Sequence, residues 1–188
     1  MFRTLLLMAL LLAGCESPPT DDRQENATVE VEADRAPPPL QAQPSTPPAP
    51  GTGGGLPDDR TPLAEGTLDL KGPEGAGQVV QQFAALMEQR RFGEARKLWG
   101  SGGVTADSQQ LLKLLEGYRE LHAQVGKPSD MEGAAGSLYV TVPMVLYGRD
   151  SEGGDFDMKA SATLRRVNDV PGSTPEQRIW HLTNIARA

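Results

Sequence analysis

Apolar and polar positions in the C-terminal part of this 188-residue chain change period once. Val79, Val80, Phe83, Ala84, Leu86 and Met87 recur at helical spacing, with Gln81, Gln82, Glu88, Gln89 and Arg90 between them. That pattern predicts an amphipathic helix of about four turns. Gly93 is expected to interrupt it, leaving a second, short helix over Glu94 to Trp99 closed by Gly100. A third helix is expected from Asp107, read as its N-cap, through Leu111, Leu112, Leu114 and Leu115 to Gly117.

The period then shortens to two. Leu121, Ala123 and Val125 alternate with His122 and Gln124, predicting a first strand. In the second, over residues 137–147, Leu138, Val140, Val142, Met144 and Leu146 share one face and Tyr139, Thr141, Val145 and Tyr147 the other. Pro143 cannot donate to a ladder, so a bulge or bend is expected there. A turn at residues 150–154 leads to a third strand over 156–167, with Phe156, Met158, Ala160, Ala162 and Leu164 on one face and Lys159, Ser161, Thr163 and Arg165 on the other. In a fourth, Trp180 and Leu182 alternate with Ile179, His181, Thr183 and Ile185. Three helices followed by four strands joined by short connections predict an α+β domain: helices packed on a curved four-stranded antiparallel sheet.

Composition changes the picture upstream. Twelve of the sixteen prolines lie at or before Pro73, and Gly51-Thr52-Gly53-Gly54-Gly55 follows a proline run. From Glu16 to Pro73 no apolar periodicity exists, so residues 15–73 read as a disordered Pro/Gly-rich linker. It carries eleven acids against four bases, whereas residues 74–188 carry fourteen against thirteen. The domain is thus nearly neutral and lacks the basic face that nucleic acid demands. A spacer of about 57 residues would reach on the order of 40 Å.

At the N-terminus, Arg3 precedes the apolar run Leu5 to Leu12, which is shorter than a membrane span needs. Residues 1–14 read as a signal peptide. Leu12-Ala13-Gly14-Cys15 resembles the bacterial lipobox, in which the cysteine thiol takes a diacylglycerol and becomes the first residue of the mature chain. The resemblance implies a lipid anchor of two or three acyl chains on Cys15, a membrane partner and a cell-envelope location. Glu16, where an aspartate would commonly retain the protein in an inner membrane, points to the outer membrane facing the periplasm if the cell is Gram-negative. Cys15 is the only cysteine, so no intramolecular disulfide can form.

The segment Val79-Val80-Gln81-Gln82-Phe83-Ala84-Ala85-Leu86, with Phe92-Gly93-Glu94-Ala95-Arg96-Lys97-Leu98-Trp99, is similar to the opening helices of nuclear transport factor 2-like (cystatin-like) domains. Gly136 to Pro143 and Ala162 to Val167 resemble their strands. The resemblance implies a cone-shaped pocket between helices and sheet. The SnoaL and ketosteroid isomerase branches use that pocket for acid–base catalysis, and others only bind ligands or partners.

Candidate chemistry is sparse. His122 and His181 are the only histidines, and both fall on strands. No carboxylate interrupts an apolar stretch as a catalytic acid would, Asp157 being nearest. Catalytic residues, metal ligands and cofactors are therefore not expected. Phe83 and Trp99 read as core. Tyr139, Tyr147, Arg165, His122 and His181 are the candidate pocket or interface residues. The expected function is non-catalytic binding of a small apolar ligand or another envelope protein. An acid–base enzyme and a structural accessory subunit of an envelope or secretion assembly stand as alternatives, and the oligomeric state is not legible.

Overall fold

Each helix ends where the backbone can turn. The computed structural model describes residues 44–58 and 69–188; the signal segment, Cys15 and the rest of the spacer lie outside them. Helix α1 spans Pro73–Glu88, with Pro73 in its first turn, where the missing N–H costs nothing. It stops before Gly93: Arg90 adopts φ 61°, Arg91 N donates to Leu86 O and Arg90 N to Met87 O, which is a Schellman cap. An arginine tolerates this backbone because its guanidinium donates to the Tyr118 and Leu115 carbonyls at the end of the third helix. Gly93 lies inside α2 (Phe92–Ala95), which passes directly into a 3-10 segment, Arg96–Gly102, kinked at Gly100. In α3 (Ala106–Glu116) the N-cap is Thr105, whose Oγ1 accepts from Ser108 N; Asp107 sits in the first turn, facing the helix dipole.

The sheet has five strands, one more than expected. They are β1 (Glu120–Val125), β2 (Glu132–Ala134), β3 (Ser137–Arg149), β4 (Asp155–Val167) and β5 (His181–Arg187). All pairings are antiparallel in the order β1-β3-β4-β5, with short β2 paired to β3 beyond the end of β1. The β3–β4 register runs unbroken through Pro143↔Ser161, so no bulge forms at the proline. Gly126 N donates to Pro143 O and Ser129 N to Thr141 O, so odd residues of β3 turn their backbone groups toward β1. The missing N–H of Pro143 therefore falls where β1 ends. The irregularity lies between Thr163 and Leu164 on β4, where the partner jumps from Asn184 to Leu182 and leaves Thr183 as the extra residue. Because of it Leu182 and Ile185, three residues apart, both face the core, contrary to strict alternation.

The inner sheet face and the helices form one core. Phe83, Met87, Trp99, Leu112, Met144 and Leu164 are among its fully buried members, with Phe83 and Trp99 edge to face at 5.9 Å. Both outer strands are closed by helix side chains. Ala123 N of β1 donates to Glu88 Oε1 at 2.9 Å, and Ile185 N of β5 to the buried Ser108 Oγ at 2.8 Å. These bonds occupy amides that would otherwise invite another strand.

Residues 44–58 depart from the spacer reading. They form a strap along the sheet, with Ser45 N on Glu120 Oε1 at 2.9 Å and Leu56 beside Gly126 and Pro143. Within the strap Gly51 N donates to Leu56 O and Gly55 N to Thr52 O. A Cβ on Gly55 would lie 1.9 Å from the Ala49 carbonyl oxygen, so this glycine serves close approach rather than flexibility.

Candidate functional site

Period-two geometry divides the five candidate residues into two groups on the sheet. His122 pairs with Tyr147, and Tyr147 with Asp157; Tyr139 pairs with Arg165, and Arg165 with His181. Eight residues of β3 separate the tyrosines, about 27 Å at 3.3–3.4 Å per residue. They belong to two places, not one.

The first group lies beside the strap. The His122 and Tyr147 rings stack at 5.3 Å, and His122 Nε2 is 3.0 Å from Glu120 Oε1, the oxygen that also accepts from Ser45 N. Arg149 Nε is 3.6 Å from the other carboxylate oxygen. The Ser45 amide, helped by His122 and Arg149 against partial burial, holds the Glu120 carboxyl below the usual range. Burial, then the charges of Glu88 and Glu120, pushes the Tyr147 phenol up. Pro44, Thr46 and Pro48 face Tyr147, Arg149 and Phe156 across a narrow cleft of about 380 Å³. An imidazole–carboxylate pair beside a phenol has the right groups for acid–base work, yet its carboxylate is already shared among three partners.

The second group is open. The Arg165 Nε donates to the buried Ser137 Oγ at 2.9 Å, which fixes the guanidinium in place. The His181 ring lies against Gly100: a Cβ there would sit 2.6 Å from Nδ1, and Gly100 has φ 56°. Nε2 is 3.0 Å from Glu176 O, in a lead-in to β5 that includes a 3-10 turn, Glu176–Arg178. His181 thus forms a wall shared by two clefts. One, about 660 Å³, lies between α1, the 3-10 segment and this lead-in, lined by Leu70, Val79, Leu98, Ile179 and Trp180 with Lys71, Lys97 and Arg178. The other, about 460 Å³, lies between the Ser101–Gly103 loop and the ends of β4 and β5, with Trp99, Arg165 and Thr183 in its walls.

Two features here escaped the sequence reading. Trp99, as expected, and Trp180 are both buried, but neither indole N–H has an acceptor among the described residues. Arg166, next to Arg165 but facing inward, is 5% exposed and fully engaged: Nε on Arg178 O, Nη1 on Lys71 O and Nη2 on Asp169 Oδ1. Lys71, then Arg166, holds the Asp169 carboxyl below its ordinary value. The alternating pattern does not predict a cation on the inner face; only the adjacency of two arginines hinted at it.

Between helices and sheet, where the expected cone pocket would lie, the described core side chains form one packed cluster. Among the described residues no three His, Cys, Asp or Glu side chains converge as a metal site would require. Among the same residues no helix is long and apolar enough to cross a membrane.

No known family profile and no curated protein sequence matches the chain. Solved structures similar to it include a nuclear transport factor 2-like superfamily protein from Salmonella enterica serovar Typhimurium, at 5% identity and TM-score 0.42, covering 62% of this chain and 89% of that one. Aln2 from a Streptomyces species is similar at 13% identity and TM-score 0.37, covering 58% and 84%. Neither likeness assigns an activity. What stands on the chain's own register and packing is an α+β fold of three helices on an open antiparallel sheet.

Proposed function

We propose that this protein is an envelope lipoprotein, held to a membrane by a lipid on Cys15, whose domain is a non-catalytic receptor for a segment of another envelope protein. One observation carries the binding reading: the interior is packed, while Leu70 and Ile179 stand 64% and 56% exposed at the groove beside α1. Exposed apolar side chains of this size gathered at one groove mark a binding surface better than scattered ones do. Lys71, Lys97 and Arg178 line the same groove against the single carboxylate of Asp169. The occupant that fits is an extended segment presenting an apolar side chain flanked by carboxylates.

Photo-crosslinking in cells tests this. A photoreactive amino acid at position 179 of the full chain should give a discrete adduct that Lys97→Glu abolishes, whereas the same group at exposed Gly172 should give none. Equal adducts from both positions, or an adduct indifferent to Lys97→Glu, would overturn the groove. The anchor has a separate test. Mass spectrometry should find an acylated N-terminal Cys15, and Cys15→Ser should release the protein from membranes.

A further inference from the structure

We infer that the cleft at the β5 edge is a second binding site, built for a single carboxylate on a small polar molecule. This inference does not rest on the groove beside α1. It rests on unspent donors. Arg165 is held by Ser137 through Nε alone, and its two Nη groups have no hydrogen bond or ion pair among the described residues. Its cationic neighbours are all engaged. Arg166 and Lys71 pair with Asp169, and Arg178 donates to Ser173 Oγ and to the Ser173 and Val170 carbonyls.

Trp99, in the wall of the same cleft, is 2% exposed and its indole N–H lacks an acceptor among the described residues. A buried donor left unpaired costs free energy, and a ligand oxygen would recover it. Gln177, also in the wall, accepts from Thr174 N through Oε1, which leaves its amide nitrogen to donate.

The charge inventory selects the class of anion. Arg166 shares the Asp169 carboxylate with Lys71, and Glu176 is the one carboxylate among the described residues of the wall. So small an excess of positive charge suits a monoanion and disfavours a dianionic phosphate. The planar fork of Arg165 matches a carboxylate, and the neutral donors match amide or hydroxyl oxygens on the same molecule. The backbone prepares the opening. Gly100 and Gly103 take φ 56° and 68°, and Gly102 and Gly103 have nothing within 4 Å of where a Cβ would be.

The chain has two tryptophans, so a proton–nitrogen NMR spectrum of the full-length protein shows two indole signals. Trp180→Phe leaves only that of Trp99, and Trp99→Phe confirms the assignment. Titration with N-acetylalanine should move the Trp99 signal saturably, and N-acetylalaninamide should not. Arg165→Gln should weaken the binding at least about tenfold without abolishing the folded spectrum. No shift with N-acetylalanine, an equal shift with the amide, tighter binding of inorganic phosphate, or unchanged affinity in Arg165→Gln would each overturn the site.

Discussion

The two ends of the sheet carry the same kinds of side chain and have opposite fates. At one, Glu120 holds the Ser45 amide, His122 and Arg149 beside the strap, and Tyr147 stacks on His122. At the other, Tyr139, Arg165 and His181 stand in register, and the Nη end of the Arg165 guanidinium has no partner among the described residues. Residue type does not distinguish them, since each has a histidine, a tyrosine and an arginine. What distinguishes them is the pairing of the charged groups: Glu120 holds both His122 and Arg149, whereas the Arg165 Nη groups have no partner among the described residues. A site is better recognised by leftover hydrogen-bonding capacity than by the presence of reactive groups.

Substitutions can break that contrast, and the largest effect is expected at Trp99. Trp99→Ala removes a core side chain that also walls the open cleft, and should cost about 3–5 kcal/mol in a denaturant melt. Trp99→Phe deletes the orphan donor with it and should cost markedly less than the alanine change. Next comes the strapped end. Glu120→Ala strands the Ser45 amide and takes one of its partners from Arg149, so about 1–3 kcal/mol should be lost, with faster hydrogen exchange at Ser45.

Acid should loosen the strap in the same direction. Because the folded state holds the Glu120 carboxyl below its ordinary value, its contribution is complete above the usual glutamate range and vanishes as pH falls through the depressed value. His122, Arg149 and Glu88 are the charged or titratable neighbours. Protease cleavage within residues 44–58 should therefore increase at low pH in the parent protein and be pH-independent in Glu120→Gln. The smallest effect is expected at Arg165, where Arg165→Gln loses one hydrogen bond to Ser137 and should change stability by no more than about 1 kcal/mol.

Much of the architecture was legible because it rests on periodicity. The inward set of β3, from Leu138 to Leu146, and that of β4, from Phe156 to Leu164, lie where alternation puts them. The departures arise where tertiary structure overrides local preference. Nothing in the sequence around Thr183 announces the extra residue that brings Ile185 into the core. Arg90 ends α1 in a conformation that glycine usually takes, stabilised there by carbonyls nearly thirty positions away. Composition misled most at residues 44–58, because glycine and proline mark close approach as readily as they mark coil.

Parity placed the candidate side chains on strands but could not show that they form two groups. Nor could it show which one the strap lies against. That depends on a contact between Ser45 and Glu120, 75 residues apart, for which no local signal exists.

The strap also sets the order in which the domain bears load. A pull arriving from the N-terminal side meets the Ser45–Glu120 contact before it reaches Pro73 at the start of α1. The fifteen residues from 44 to 58 represent about 50 Å of fully extended chain. Peeling them from the sheet would lengthen the connection while leaving the helix–sheet core packed. The segment is placed as a shock absorber is placed, yielding slack before the structure behind it feels the tension.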